Sequence, residues 1–156
     1  MLGLAEYISN WSKDKWTKVG AVITDSKYRV ISLGFNGFAR GIKDSDERLG
    51  SREIKNSLMV HAERNALLFA QRDLSNCYLY TWPIPSCSVC ASMSIQSGIV
   101  KCVSPSVPER LRERWRDDCE FGRRLLEEAG VAVVYIGSEN SPEALWGDIP
   151  VGVIPA

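Results

Sequence analysis

Two short clusters in this chain hold residue types that could do metal chemistry: His61-Ala-Glu63 and Cys87-Ser-Val-Cys90, with 25 residues between His61 and Cys87. A zinc ion held by one imidazole and two thiolates keeps a fourth position open for water, which is a catalytic rather than a structural pattern. With neutral His61 and ionised Cys87 and Cys90, the ligand charges cancel the dication. The metal still lowers the pKa of its water, so hydroxide is available near neutral pH. Glu63 stands two residues from His61, so the two side chains leave a helix in different directions. That divides the work: His61 for the metal, Glu63 for the water and the substrate as a general acid–base.

Other readings of these residues have to be weighed. A lone Cys-x-x-Cys is also the pattern of a redox pair, or of half a structural zinc site. Against the redox pair, the only histidine in the chain stands upstream in His-x-Glu. Against the structural site, no fourth ligand is evident, because Cys77, Cys102 and Cys119 fall inside predicted strands or helices and read as small core residues. The total of five cysteines is odd, and the N-terminus carries Glu6 and no basic leader. Neither feature suits a secreted disulfide framework, and the expectation is a cytoplasmic protein.

The bulk numbers set limits on function. Hydrophobic residues make up 45% and charged residues 24% of 156 residues, the balance of one globular domain. Nineteen basic residues offset nineteen acidic ones. A chain that wraps a polyanion neutralises phosphates with surplus cations, so no nucleic-acid partner is expected. A small anionic substrate needs only one or two cations and stays open. No apolar run approaches the roughly 18–20 residues that span a bilayer, so no membrane partner is expected either.

The elements that must carry the clusters can be read from periodicity and turn residues. Leu4, Ile8 and Trp11 recur at helical spacing and predict a helix over 2–13. Residues 19–24 and 28–35 read as strands joined by a turn at 25–27, an antiparallel hairpin. The glycine- and charge-rich stretch 36–57 reads as a long functional loop. Residues 58–71 read as a helix whose Ala62, Ala66 and Ala70 form a small-residue face for packing on a sheet. A third strand follows at 77–81, then a turn over Pro83 and Pro85, and a helix from near Cys87 to Gly98. Residues 99–103 form a fourth strand. Ser106 and Glu109 read as a capping box, with Pro108 in the first turn, opening a helix that ends at Gly130. Residues 131–136 are a fifth strand. A full helix separates strands four and five, which predicts a parallel pair with a right-handed crossover. The whole is an α/β arrangement: a mixed five-stranded sheet with helices on both faces. Residues 1–137 then form a single domain, and the aperiodic tail 138–156 is loosely ordered or used in assembly.

The sequence resembles the cytidine deaminase-like superfamily and, within it, the deoxycytidylate (dCMP) deaminases. Beyond His-x-Glu and Cys-x-x-Cys, the resemblance rests on Ser12-Lys-Asp14, Thr17-Lys-Val-Gly-Ala-Val-Ile23, Gly34-Phe-Asn-Gly37 with Gly41, Val60-His-Ala-Glu-Arg-Asn-Ala66 and Ile95-Gln-Ser-Gly-Ile99. It implies a three-layer α-β-α sandwich and hydrolysis of dCMP to dUMP and ammonia by a zinc-dependent hydrolase. In that chemistry a zinc-bound hydroxide attacks carbon 4, and Glu63 shuttles the protons. It implies zinc ligation by His61, Cys87 and Cys90, a nucleotide contact from Asn36 beside Gly37, and a backbone hydrogen bond from Ala62 to the pyrimidine carbonyl. Backbone groups of Ser86 and Cys87 would meet the amino group. It further implies a homo-oligomer, dimer or hexamer, and a dCTP effector carried with Mg2+. Without the resemblance, Asn36 reads equally as a turn residue before Gly37.

Within that frame, Lys18 and Arg40 are the favoured phosphate contacts, ahead of Lys43, Arg48 and Arg52, and Trp82 could stack on the base or serve as a core residue. One departure is visible: the family usually has proline directly before its first cysteine, whereas Ser86 stands between Pro85 and Cys87 here. The 36–57 stretch also lacks Cys and His, so no second structural zinc is expected there. The same metal chemistry serves deaminases of cytidine, guanine and tRNA adenosine, which are the rival functions. A non-catalytic zinc-stabilised nucleotide-binding module is a further rival, but such a module has no need of Glu63.

Overall fold

The computed structural model of the protein describes residues 1–137; the expected tail 138–156 lies outside the described residues. In chain order the elements are α1 (Leu2–Ser9), β1 (Gly20–Thr24), β2 (Val30–Phe35), β3 (Gly37–Phe38), α2 (Asp46–Gly50), α3 (Arg52–Leu58), β4 (Met59–Val60), α4 (Ala62–Ala70), β5 (Cys77–Trp82), α5 (Ser88–Gln96), β6 (Ile99–Pro105), α6 (Glu109–Glu128) and β7 (Ala132–Ile136).

Five strands form one sheet in the order β2-β1-β5-β6-β7. The hairpin β1–β2 and the pair β1–β5 are antiparallel, while β5–β6 and β6–β7 are parallel. The expected mixed sheet is therefore present, including the parallel pairing of the fourth and fifth predicted strands. Alternation along the strands sorts the core into two faces. Val22, Tyr80 and Val103 face Ala5 and Ile8 of α1. Ala21, Ile23, Leu79 and Cys102 face the other way, against Ala62, Ala66 and Leu67 of α4, Ala91 of α5, and Leu111 and Leu126 of α6. Each large aliphatic side chain buried there contributes roughly 1.5–3 kcal/mol. Close approach also decides residue type: a Cβ at Gly34 in β2 would stand 2.2 Å from the Ala62 carbonyl oxygen, so only glycine lets α4 sit this near the sheet.

Several boundaries differ from expectation, each for a local reason. Strand β2 begins at Val30 rather than 28, because the Asp25 carboxylate accepts from the amides of Lys27 and Arg29 and lengthens the turn. Helix α6 opens at Glu109 with Pro108 as its cap; the Pro108 carbonyl accepts from Leu111 N at 2.8 Å. Ser106 thus lies outside the first turn, and the expected capping box is not formed. The largest correction concerns 36–57, which is not a plain loop. It holds α2 and α3, each capped by a serine hydroxyl, Ser45 accepting from Arg48 N and Ser51 from Ile54 N. The small β3–β4 pair then closes the excursion through Gly37↔Val60. In consequence α4 starts at Ala62 and not at 58. Among the described residues, no helix is long and apolar enough to cross a membrane.

Candidate metal centre and cavity

Two helix tips bring the clusters together. His61 is the N-cap of α4 and Cys87 the N-cap of α5, both with extended backbone and neither spending its side chain on capping. The carbonyls of His61 and Cys87 accept the first helical bonds, from Asn65 N and Ala91 N. Their side chains are left free to turn across the gap. His61 Nδ1 lies 3.5 Å from Cys87 Sγ and 3.4 Å from Cys90 Sγ, and the three ligand atoms all fall within 4.8 Å of one another. A tetrahedral zinc with bonds of about 2.3 Å to sulfur and 2.0 Å to nitrogen holds N and S about 3.5 Å apart, so this donor set fits the ion.

One of the two thiols is arranged to lose its proton and the other to keep it. The hydrogen bond with Cys90, with help from His61, draws Cys87 down to about 4, while the same pairing and burial push Cys90 up. One proton is thus shared between two sulfurs that a dication would fully ionise. Arg64, in the first turn of α4, has its pKa raised although burial works against its charge, because the charges of Cys90 and Cys87 lie beside it. Ser88 N at the tip of α5 donates to Asp118 Oδ1 of α6 at 3.1 Å, tying that tip to the long helix. Neither Arg64 nor Asp118 was singled out from sequence.

Glu63 is 3% exposed and forms no salt bridge among the described residues. Burial raises its pKa, and a hydrogen bond from the Ser86 side chain partly offsets the rise. Ser86, the residue at which the sequence departs from the usual proline, is thus buried against the acid. Glu63 lines one cavity together with His61, Cys87, Ile84 and Pro85.

The opposite wall comes from residues distant in sequence. Asp14 and Lys55 form a buried ion pair at 2.7 Å, with side chains 3% and 2% exposed, and Lys55 Nζ also sits over the Trp16 ring. Asn36 is buried beside them: its Oδ1 accepts from Val19 N at 2.8 Å, and its Nδ2 donates to Thr17 O and Asp14 Oδ2. Asn36 therefore lines the cavity with both its donors engaged by the protein. Helix α6 adds Arg114 and Trp115. The Trp115 ring meets His61 edge-on at 6.1 Å, and the Arg114 guanidinium stacks on Trp115 at 4.8 Å. Among the described residues, Trp115 Nε1 and Thr17 Oγ1 are buried without hydrogen-bond partners, and both residues line this cavity. Buried donors left unmet are costly, so the cavity is built for a polar ligand.

Of the remaining sequence candidates, Ala62 is fully buried at the start of α4, and Gly37 is paired with Val60 next to Asn36. Lys18, Arg40 and Trp82 are not brought to this cavity. Lys18 is exposed and its Nζ reaches Asn10 O at 3.5 Å. Arg40 is exposed beyond β3. Trp82 packs with the α1 face of the sheet and lines a separate cleft with Lys18. Residues at odd and even positions of a strand face opposite sides, so Trp82 at the end of β5 cannot share the face of its neighbour Thr81. Lys55, Asn56, Arg114 and Trp115 were missed, because nothing in their local spacing marks them.

Comparison with known proteins follows the same lines. Residues 1–105 match the model of the cytidine and deoxycytidylate deaminase zinc-binding region. A protein of Aliivibrio fischeri, described as an uncharacterized deaminase in the luxG 3' region, is 41% identical over 133 residues, covering 85% of this chain and 88% of its own. A probable deoxycytidylate deaminase of Drosophila melanogaster is 36% identical over 133 residues, covering 77% of this chain, which spans 62% of that relative's length. Among solved structures, the dCMP deaminase of cyanophage S-TIM5 in complex with dCMP and dUMP aligns with a TM-score of 0.67 at 25% identity, over 86% of this chain and 93% of that one.

Proposed function

Because the chain belongs to the cytidine and deoxycytidylate deaminase family, we propose that it hydrolyses dCMP to dUMP and ammonia with one catalytic zinc ion. The observation that carries this reading is a buried carboxylic acid, Glu63, without an ion-pair partner among the described residues, lining the same cavity as His61 and Cys87. A buried acid of that kind costs stability, and such groups cluster at functional sites, where the reaction needs them.

His61, Cys87 and Cys90 would hold the zinc, which when bound supplies Lewis-acid polarisation and makes a water acidic near neutral pH. Glu63 takes a proton from the attacking water and delivers it to the pyrimidine ring nitrogen as oxygen bonds to carbon 4. It then moves the second proton to the amine as the carbon–nitrogen bond breaks and ammonia leaves. A pKa raised by burial suits a group that must both accept and return a proton. Ser86 orients the acid, and Arg64 steadies the thiolates. The substrate relation of the cyanophage enzyme, solved with dCMP and dUMP, supports the choice of base and sugar.

Three finer expectations belong to the same reading. A homo-oligomer, dimer or hexamer, is supported by the exposed aromatics Tyr7, Trp11 and Phe35, in which Trp11, just past α1, packs on both Tyr7 and Phe35. A dCTP effector carried with Mg2+ rests on the family resemblance and the glycine frame Gly34–Gly41. A cytoplasmic setting is supported by five cysteines that are all buried and unpaired in disulfides. The test is a substrate panel of dCMP, CMP, deoxycytidine, guanine and 5-methyl-dCMP, run with and without dCTP, beside a metal assay. About one zinc per chain and preference for dCMP are expected; full activity in metal-free protein, or preference for guanine, would refute the reading.

A further inference from the structure

A nucleotide differs from its nucleoside by a phosphate, and an enzyme that prefers the nucleotide must meet that dianion with a cation at its cavity. We infer that Arg114, carried to the cavity wall by α6 and braced between Trp115 and Asn56, is the residue that recognises the substrate's 5′-phosphate; this rests on the dCMP reading above. Two cations line the cavity, Lys55 and Arg114. Lys55 is committed to Asp14 at 2.7 Å, in a pair so buried that neither charge is available. Arg114 has no carboxylate partner among the described residues.

The guanidinium is also preorganised. One face lies over the Trp115 ring at 4.8 Å, and Nη2 donates to Asn56 Oδ1 at 3.1 Å. Those two contacts fix the plane and leave other N–H groups of a five-donor fork unspent, the geometry that suits an oxyanion. The surroundings favour an anion as well. Burial and the neighbouring positive charge of Arg52 both work against the charge on Arg114 and outweigh the Asp14 carboxylate, so its pKa is lowered. A phosphate would relieve both. The Trp115 ring packs against both His61 and Arg114. Glu63, Trp115 and Arg114 line the same cavity, so a ligand whose reacting carbon sits by Glu63 would meet the guanidinium with its phosphate end. The buried, unpartnered Trp115 N–H offers a second donor on that path.

The test needs no turnover. Binding of dUMP and of deoxyuridine is measured by calorimetry on wild-type protein, Arg114→Gln, Arg114→Lys and Arg116→Gln, a control two residues further along α6 on its exposed side. Losing charge-assisted hydrogen bonds to one oxyanion should weaken dUMP by about 30-fold in Arg114→Gln. Deoxyuridine should shift far less, Arg114→Lys should fall between, and Arg116→Gln should follow wild type. In steady-state assays the ratio of kcat/KM for dCMP over deoxycytidine should drop in parallel, mainly through KM. Unchanged dUMP binding in Arg114→Gln, or equal weakening of dUMP and deoxyuridine, would overturn the assignment. Because the titration is independent of catalysis, a wild-type protein that converts neither substrate would sink the deaminase reading on its own and leave the Arg114 result to be read separately.

Discussion

The two walls of the cavity are built in opposite ways. The reactive wall is made of residues that sit within a few positions of one another at the tips of α4 and α5: His61 with Glu63, and Cys87 with Cys90. The recognition wall is made of Asp14, Asn36, Lys55, Arg114 and Trp115, from four separate segments. Local spacing holds the first together, since a helix start sets the direction of its cap and first-turn side chains. Only packing holds the second together. The first is consequently robust to changes elsewhere in the fold, whereas the second depends on α3 and α6 docking correctly.

That contrast can be broken most forcefully at Glu63. Glu63→Gln should lower kcat by ~10²–10⁴ while zinc content and thermal midpoint hold near wild type; turnover within a few-fold of normal would remove the acid from the reaction. The recognition wall should answer differently. Lys55→Met leaves the Asp14 carboxylate buried and unpaired, and the expected loss is ~3–5 kcal/mol of stability in denaturant unfolding. If that variant unfolded like wild type, the Asp14–Lys55 pair would not be what holds this wall. A smaller effect should mark the junction between walls. A Cβ at Gly122 in α6 would stand 2.6 Å from the Ser86 carbonyl oxygen and 3.0 Å from Cys87 C. Gly122→Ala should therefore push α6 off the turn that carries the first cysteine, costing about 1–3 kcal/mol. The same shift moves Trp115 and Arg114, so KM for dCMP should rise while zinc content stays near one per chain. An unchanged KM would show that the two walls are independent.

How much of this was legible before folding follows the same division. The five strands of the sheet and the helices at 62–70, 88–96 and 109–128 were marked by periodicity, turn residues and small-residue faces. The segment 36–57 was misread because glycine and charge suggest a loop. Its helix signals were present but short: Ser45 before Asp46 and Glu47, and Ser51 before Glu53, each a serine cap with acid in the first turn. Lys55 could not have been chosen from its neighbours. A lysine is almost never buried unless paired, and its partner lies 41 residues away. Lys18, Arg40 and Trp82 drew attention by closeness in sequence to the glycine motif and the proline turn. Strand direction carries Trp82 to the other face of the sheet, and the two cations stay in solvent.

By itself, then, the sequence determined the chemistry available: one imidazole, two thiolates and one acid, at spacings that helix starts translate directly into a shared centre. It also determined the family and the mixed sheet. The tertiary structure alone decided which cation faces the ligand and which is consumed by the fold. The reason is physical. A side chain's charge is free for binding only after its burial and its partners are known, and those partners come from segments that meet through packing rather than through spacing along the chain.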